Sequence, residues 1–284
     1  MIISIRDSTR ASIRRICATL GLPRSSHYHA ARPTATQLED REIGETIESI
    51  FLKHRRRYGY RRIHSDLQDL DITCAPSRVR RLMRERGLRA ISPRNFVPRT
   101  SDGRADRPSD NLLLERGAPA RTNEIWIGDI TYIPTSAGWR YLAVVIDLYS
   151  RRVVGWSLAC DLRSGLVCDA LAKALKSRPS KASPHVFHSD RGSQYGSRAF
   201  RSLLRRAKIT QSMSRRANPY DNAWTESFMG TLKKEMLQGE IFASERDALT
   251  GIFTYIDGYY NTRRKHSSLG YLSPSQFESN ITLN

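Results

Sequence analysis

Three acidic residues stand in local sequences patterned strongly enough to do chemistry together. Asp129 lies in Trp126-Ile-Gly-Asp-Ile-Thr-Tyr132, an alternating apolar run with an acid at its centre, which predicts a strand. Asp190 ends the run His185-Val-Phe-His-Ser-Asp190 and is followed by Arg191-Gly-Ser-Gln-Tyr195. Glu226 comes after Asn218-Pro-Tyr-Asp-Asn222, which reads as a turn and a helix start, and 35 residues lie between Asp190 and Glu226. Strands, strand ends and helix starts are where a fold gathers distant carboxylates at one edge of a sheet. Two carboxylates about 4 Å apart repel by about 4 kcal/mol at an effective dielectric near 20, and a divalent cation cancels that cost. All-oxygen ligands suit Mg²⁺ or Mn²⁺, which keep waters and take their remaining ligands from phosphate. The chemistry expected is therefore metal-dependent phosphoryl transfer on a DNA strand. Any single acid of the three has the alternative of capping a helix or pairing with an arginine; the three contexts together favour the site. Asp147, in Val144-Val-Ile-Asp-Leu-Tyr149, is a rival ligand on the next strand, and pairing with Arg151 or Arg152 is the reading preferred for it.

The elements that must position these acids follow from periodicity. Strands are predicted near 125–133, 139–148 and 151–159, then a helix near 163–177, a strand at 185–189, a helix at 197–207, a short strand at 209–212 and the Glu226 helix. On that last helix Asn222, Glu226 and Lys233 are four and seven apart and share a face, while Trp224 and Phe228 lie on another that is expected to pack into the core. Lys233 is set to hold a phosphate or to stand as an ordinary exposed lysine. Upstream, Ile13, Ile16, Cys17 and Leu20 follow helical spacing until Gly21-Leu-Pro23, and a second short helix is expected from Ser25 or Ser26. Residues 37–53 place Ile43, Ile47, Ile50 and Phe51 on one helical face; Ile63, Leu67 and Leu70 suggest another helix, and Val79, Leu82 and Met83 a third that opens at Pro76 and stops at Gly87. The resulting division is 1–35, an N-terminal helical segment; 36–92, a helix-turn-helix-like DNA-binding domain; 93–120, a basic linker rich in Pro and Gly; 121–238, an α/β catalytic core; and 239–284, a C-terminal helical extension of that core.

The chain has 284 residues with 47 Lys and Arg against 28 Asp and Glu, a net charge of +19. A polyanionic partner is the simplest reason for such an excess. Arginine dominates over lysine, which suits bidentate phosphate and base-edge contacts, although a GC-rich genome produces the same bias. Arg78, Arg81 and Arg84 or Arg86 are expected to point outward from the third helix, as a groove-reading helix requires; the alternative is a solvated basic face. The adjoining run holding Arg55, Arg56, Arg57, Arg61 and Arg62 interleaves Tyr58 and Tyr60 among its cations, which favours DNA contact. The four cysteines form no C-x-x-C pair, no signal peptide opens the chain, and no apolar run is long enough to span a membrane, so a cytoplasmic protein is expected. His27 and His29 with Cys17 do not have the spacing of a structural zinc site.

The segments Ile127 to Thr131, His188 to Tyr195, Ser214 to Asn222, Glu226-Ser-Phe and Leu232-Lys-Lys-Glu235 resemble the catalytic core of retroviral-integrase-type transposases. With Tyr58-Gly-Tyr-Arg-Arg-Ile63, Arg80 to Leu88, Tyr260 to His266 and Leu272-Ser-Pro274, nearly the whole chain is similar to the second reading-frame product of the insertion-sequence-three family. Two departures from that pattern are Ala217, where Gly is usual, and Asp69-Leu-Asp71, where a Gly is usual in the turn. The resemblance implies a ribonuclease-H-like fold and transposition by two in-line displacements at phosphorus. A strand is first cut by water at the element's end, and the freed 3′-hydroxyl then attacks another phosphodiester. It further implies two metal ions when DNA is bound, with Asp129 bridging both and Asp190 and Glu226 each holding one. Partners implied are the element's terminal inverted repeats and target DNA, a second copy of the chain at least, and an upstream-frame helix-turn-helix and leucine-zipper segment joined by frameshifting. The competing readings are a ribonuclease-H-like nuclease without strand transfer, which would not need the basic N-terminal domain, and a noncatalytic DNA-binding repressor, which would not need the acids.

Overall fold

A computed structural model describes residues 2–25, 33–91, 108–114, 118–178, 185–215, 223–239 and 241–282. The chain opens with α1 (Ile2–Thr9) and α2 (Ile13–Thr19); Ser12 caps α2 by accepting from the Arg15 amide, and Ile16 and Cys17 are buried. Leu20, expected with them, lies beyond the helix and is exposed, because the turn at Gly21 begins there. The expected second short helix, with His27 and His29, falls largely outside the described residues.

Helix α3 (Ala35–Lys53) starts on a capping box in which Thr34 and Gln37 bond each other's backbone amides, and it buries Ile43, Ile47, Ile50 and Phe51. Helices α4 (Tyr60–Gln68) and α5 (Pro76–Glu85) pack on it through Ile63, Leu67, Val79, Leu82 and Met83. Pro76 sits in the first turn of α5, where its missing N–H costs nothing. Leu70 departs from the expectation: α4 ends at Gln68 and Leu70 is exposed, so the helical repeat stops one turn earlier than the spacing suggests.

The larger unit is a five-stranded sheet in the order β3-β2-β1-β4-β5. Strands β1 (Ile125–Thr135), β2 (Gly138–Asp147) and β3 (Val153–Ala159) form an antiparallel meander; β4 (Val186–Ser189) and β5 (Thr210–Met213) add to the β1 edge in parallel. Helices α6 (Ser164–Ser177), α7 (Ser193–Gly196) and α8 (Arg198–Arg206) provide the crossovers. Alternation along β1 divides the core. Trp126 and Ile130 face α6 and α8, while Ile125, Ile127 and Ile133 face α9 (Ala223–Leu232) and α10 (Glu245–Tyr255). This is the mixed α/β arrangement with helices on both faces that the element order predicts.

Helix α9 runs into a π-helical segment, Lys233–Leu237, and α10 into a second, Ile256–Tyr260; α11 (Pro274–Thr282) closes the chain. The second π segment and the stretch after it lock onto the N-terminal helices. Tyr58, fully buried, stacks on His54 at 3.7 Å, donates to the Arg263 carbonyl and accepts from the Lys265 amide. The Lys265 ammonium lies 3.0 Å from Asp66 and 2.6 Å from Asp69, and Arg62 donates to the Lys265 carbonyl.

Candidate active site

Strand β1 fixes Asp129 in the middle of the sheet. Gly128 pairs in register with Ser189 of β4, so Asp190, one residue past the end of β4, arrives beside Asp129. Glycine at 128 is a packing requirement, since a Cβ there would collide with the Phe187 ring. Beyond β4 the chain turns sharply: the Gly192 amide donates to Asp190 Oδ1 at 3.0 Å, and a Cβ on Gly192 would sit 2.9 Å from Gln194 Oε1. His188 pins this corner from below, its ring nitrogens 2.8 Å from Ser212 Oγ and 3.1 Å from Ser214 Oγ, and Arg191 donates to the Ser214 carbonyl at 2.7 Å. The His-Ser-Asp-Arg-Gly run is thus a brace for one carboxylate.

Asp129 is 8% exposed and its Oδ1 accepts from the Ile130 amide at 2.8 Å. Burial first, then the charge of Asp190, push its carboxyl up to about 8; Glu226 adds to the rise, and the Ile130 amide and Lys233 oppose it. Glu226 is exposed in the first turn of α9, and Lys233 is half-buried where the π segment begins. Burial lowers the Lys233 ammonium's pKa, with Asp129 acting against that. The fold therefore brings Asp129, Asp190, Glu226 and Lys233 within electrostatic reach of one another across some hundred residues of sequence. As placed, no three His, Cys, Asp or Glu side chains among the described residues stand close enough to hold an ion. Asn222 lies outside the described residues, as does Ala217.

One neighbour of this cluster carries little signal in the chain's own pattern. The Tyr195 hydroxyl is buried and has no hydrogen-bond partner among the described residues, and burial together with the charges of Asp129 and Asp190 holds its pKa well above the usual range. Its only mark in the sequence is an aromatic five residues after Asp190.

Asp147 belongs elsewhere. It is fully buried at the end of β2 and accepts from the Asn123, Tyr149 and Ser150 amides at 2.7, 3.0 and 3.2 Å, with Arg178 at 3.8 Å. The charged partner is Arg178, in place of the expected Arg151 or Arg152, because the tight turn it caps directs the latter two side chains away. Trp224 also departs from expectation: it is 51% exposed, and the Arg151 guanidinium lies over its ring at 3.8 Å, while Thr225 and Phe228 are the buried residues of this part of α9.

The candidate DNA-contacting arginines divide into two sets. Arg55, Arg56, Arg61 and Arg84 are exposed. Arg78 is held by Glu39 and Asp40 of α3, and Arg81 by Asp40 and Glu85. Arg57 lies over the Tyr259 ring at 4.4 Å and donates to the Glu235 carbonyl, and Arg62 bonds Lys265.

Family models agree with this division of structure. An HTH-like domain matches residues 37–96, and two integrase core domain models match residues 119–219 and 207–274. The transposase for insertion sequence element IS904 of Lactococcus lactis is 40% identical over 248 residues, 87% of this chain and 97% of the relative. The transposase InsF for insertion sequence IS3A of Escherichia coli is 37% identical over 274 residues, 94% of each chain. The chain belongs to the insertion-sequence-three (IS3) family of transposases. This transposase has a small helical domain ahead of a mixed α/β integrase-like catalytic core. Among solved structures, the HTLV-2 integrase catalytic core domain in complex with magnesium aligns at a TM-score of 0.40 and 18% identity over 55% of the transposase and 94% of the integrase chain. No helix among the described residues of the transposase is long and apolar enough to cross a membrane.

Proposed function

We propose that Asp129, Asp190 and Glu226 are the catalytic carboxylates of this transposase and hold two Mg²⁺ or Mn²⁺ ions when DNA is bound. The observation that carries this reading is Asp129. A carboxyl forced up to about 8 by burial and by two neighbouring carboxylates is a site that a divalent cation relieves, and the donors are all hard oxygens. The exposed Glu226 side chain has the rotational freedom to close on such an ion. Bound there, the ions lower the pKa of the attacking hydroxyl and offset charge on the leaving 3′-oxygen.

The protein's own contribution is position. Asp129 is immobilised by the sheet and Asp190 by its glycine turn, so both reach the phosphodiester without reorganising. Lys233 grips a phosphate of the strand. Water first displaces the 3′-oxygen at the element's end; the 3′-hydroxyl so formed then attacks a second phosphodiester and releases another 3′-hydroxyl. Residues 36–92 bind the terminal repeats through the exposed Arg55, Arg56, Arg61 and Arg84, with Arg78 and Arg81 exchanging their carboxylate partners for DNA. The active assembly contains at least two copies of the chain on paired ends in the bacterial cytoplasm, joined to an upstream-frame segment.

Asp129→Asn, Asp190→Asn and Glu226→Gln are each expected to abolish Mg²⁺-dependent cleavage and joining of an end-containing duplex while leaving duplex binding nearly intact. Retained strand transfer in any variant removes that residue from the site. Lys233→Ala is expected to lower joining of a precut 3′-end at least as much as first-strand cleavage in single-turnover assays. Precut ends that the parent protein never joins, even with the upstream-frame partner supplied, would replace the transposition reading with plain hydrolysis.

A further inference from the structure

Helix α9 carries chemistry on one side only. Glu226 and Lys233 face Asp129, whereas Trp224, Ser227, Phe228 and Thr231, spaced three and four apart, line a separate cavity of about 260 Å³ on the opposite flank. Its floor includes Ile127, two residues before Asp129 and on the same face of β1. Two residues of strand span about 7 Å, so Ile127 in the cavity floor lies roughly two B-DNA strand rises from Asp129.

The wall opposite Trp224 is cationic. Arg62, Arg151, Arg264 and His266 all line it. Arg264 is matched by Glu235 and Arg62 is tied to the Lys265 carbonyl. Arg151 has no acidic or hydrogen-bonded side-chain partner among the described residues. It is half-buried and stacked on Trp224, and burial lowers its guanidinium's pKa, with Tyr260 acting against that. The positive field of the cavity is visible at His266, whose pKa falls to about 3 through burial and the charges of Arg264, Arg62 and Arg151. Arg151 is also held in an unusual backbone conformation, φ +63°, at the β2–β3 turn whose amides the buried Asp147 caps. A desolvated guanidinium without an anion, placed by a strained turn, is a group awaiting one.

We propose that this cavity binds a backbone phosphate of the DNA strand engaged at Asp129, within about three nucleotides of the scissile bond, with Arg151 as the phosphate ligand and Trp224 as the platform that orients it. The proposal rests on the reading of Asp129, Asp190 and Glu226 as the DNA-cleaving site. It assigns the Asp147 turn a purpose: the turn is the mount for Arg151. The hydroxyls of Ser227, Ser267 and Ser268 complete a donor set suited to phosphate oxygens.

The test is a methylphosphonate scan of an end-containing duplex, with binding by the full chain measured as each phosphate in turn is made neutral. For the parent protein, one position within about three nucleotides of the cleavage point should weaken binding on the order of tenfold, the loss of one charge-assisted contact. In Arg151→Asn, chosen because Asn tolerates positive φ, that position should become silent, and the salt dependence of binding should fall by about one phosphate's worth. Trp224→Leu, an exposed change that leaves the turn untouched, should reduce the same position's effect. A scan unchanged in both variants overturns the proposal, as does a parent protein sensitive to no phosphate in that window. Cleavage of the unmodified duplex is measured alongside. Its absence in the parent protein counts against the catalytic reading, whereas normal cleavage with an unchanged scan counts against the cavity alone.

Discussion

Asp129 ties the stability of the fold to pH. Its carboxyl ordinarily titrates near 3.8 and is raised to about 8 in the folded chain, so between those values the native state keeps a proton that the unfolded state releases. Stability should therefore fall as pH rises from about 4 to about 8 and level off above. Asp129→Asn removes that slope: its unfolding temperature should match the parent's near pH 4 and exceed it at pH 8. Mg²⁺ should raise the parent's unfolding temperature at pH 8 and leave the variant's unchanged. A parent and variant with parallel pH profiles would mean that Asp129 is ionised without help. Asp147 differs in kind, because both its oxygens receive backbone N–H groups. An asparagine there must turn its NH₂ toward one of those donors. Asp147→Asn should cost about 2 kcal/mol in denaturant unfolding yet retain cleavage where the protein is folded. Full inactivity in a stably folded variant would return Asp147 to the ligand set.

At the level of elements, the two π segments do the joining. The first carries Glu235, which is 4% exposed and accepts from Arg264 and from the Tyr255 hydroxyl, while its backbone carbonyl accepts from Arg57. The helix bearing Glu226 and Lys233 is thus anchored at its far end to α10, to the C-terminal stretch and to the N-terminal helices together. A buried pair of this kind is expensive to break from one side, since the partner's charge is left without compensation. Glu235→Gln should destabilise the protein by about 3 kcal/mol and lower cleavage by misplacing α9. Unchanged unfolding together with unchanged cleavage would mean that α9 is held by its apolar contacts alone.

For the whole molecule, the contacts of Tyr58, His54, Arg62 and Asp66 with Tyr259 to Lys265 bind the N-terminal helices to a segment some 200 residues away. Most of these groups are buried, so separation would expose unpaired ions and a large aromatic surface. A chain cut by an engineered protease site near residue 100 should consequently stay together on gel filtration in moderate salt. The two pieces should part in the cut Tyr58→Ala variant, which loses the ring stack and two hydrogen bonds at once. Free separation of the cut parent chain would show that the interface is weaker than its burial implies. The same contacts mean that part of the basic charge in the N-terminal unit serves cohesion, leaving Arg55, Arg56, Arg61 and Arg84 as its exposed cations among the candidates considered.

Period and punctuation sufficed for the sheet. Alternation marked β1, short apolar runs marked β2 and β4, and the Pro76 and Gly87 signals bounded α5, because burial on a strand or helix face imposes a repeat on the residues themselves; the framed acids pointed to Asp129, Asp190 and Glu226, which the fold brings within electrostatic reach of one another. The extent of each repeat was less legible: Leu20, Leu70 and Trp224 continue an apolar spacing past the point where the surface it would pack on ends. What a charged side chain faces is not a local property at all. Nothing near Asp147 in sequence announces Arg178 or the three amides it receives, and nothing in the basic run from Arg55 to Arg62 distinguishes Arg57 and Arg62, which hold the fold together, from Arg61, which meets solvent. Those partners come from strands and segments far away in the chain, so only the tertiary structure decided them, along with the Arg151 cavity on the unreactive flank of the Glu226 helix.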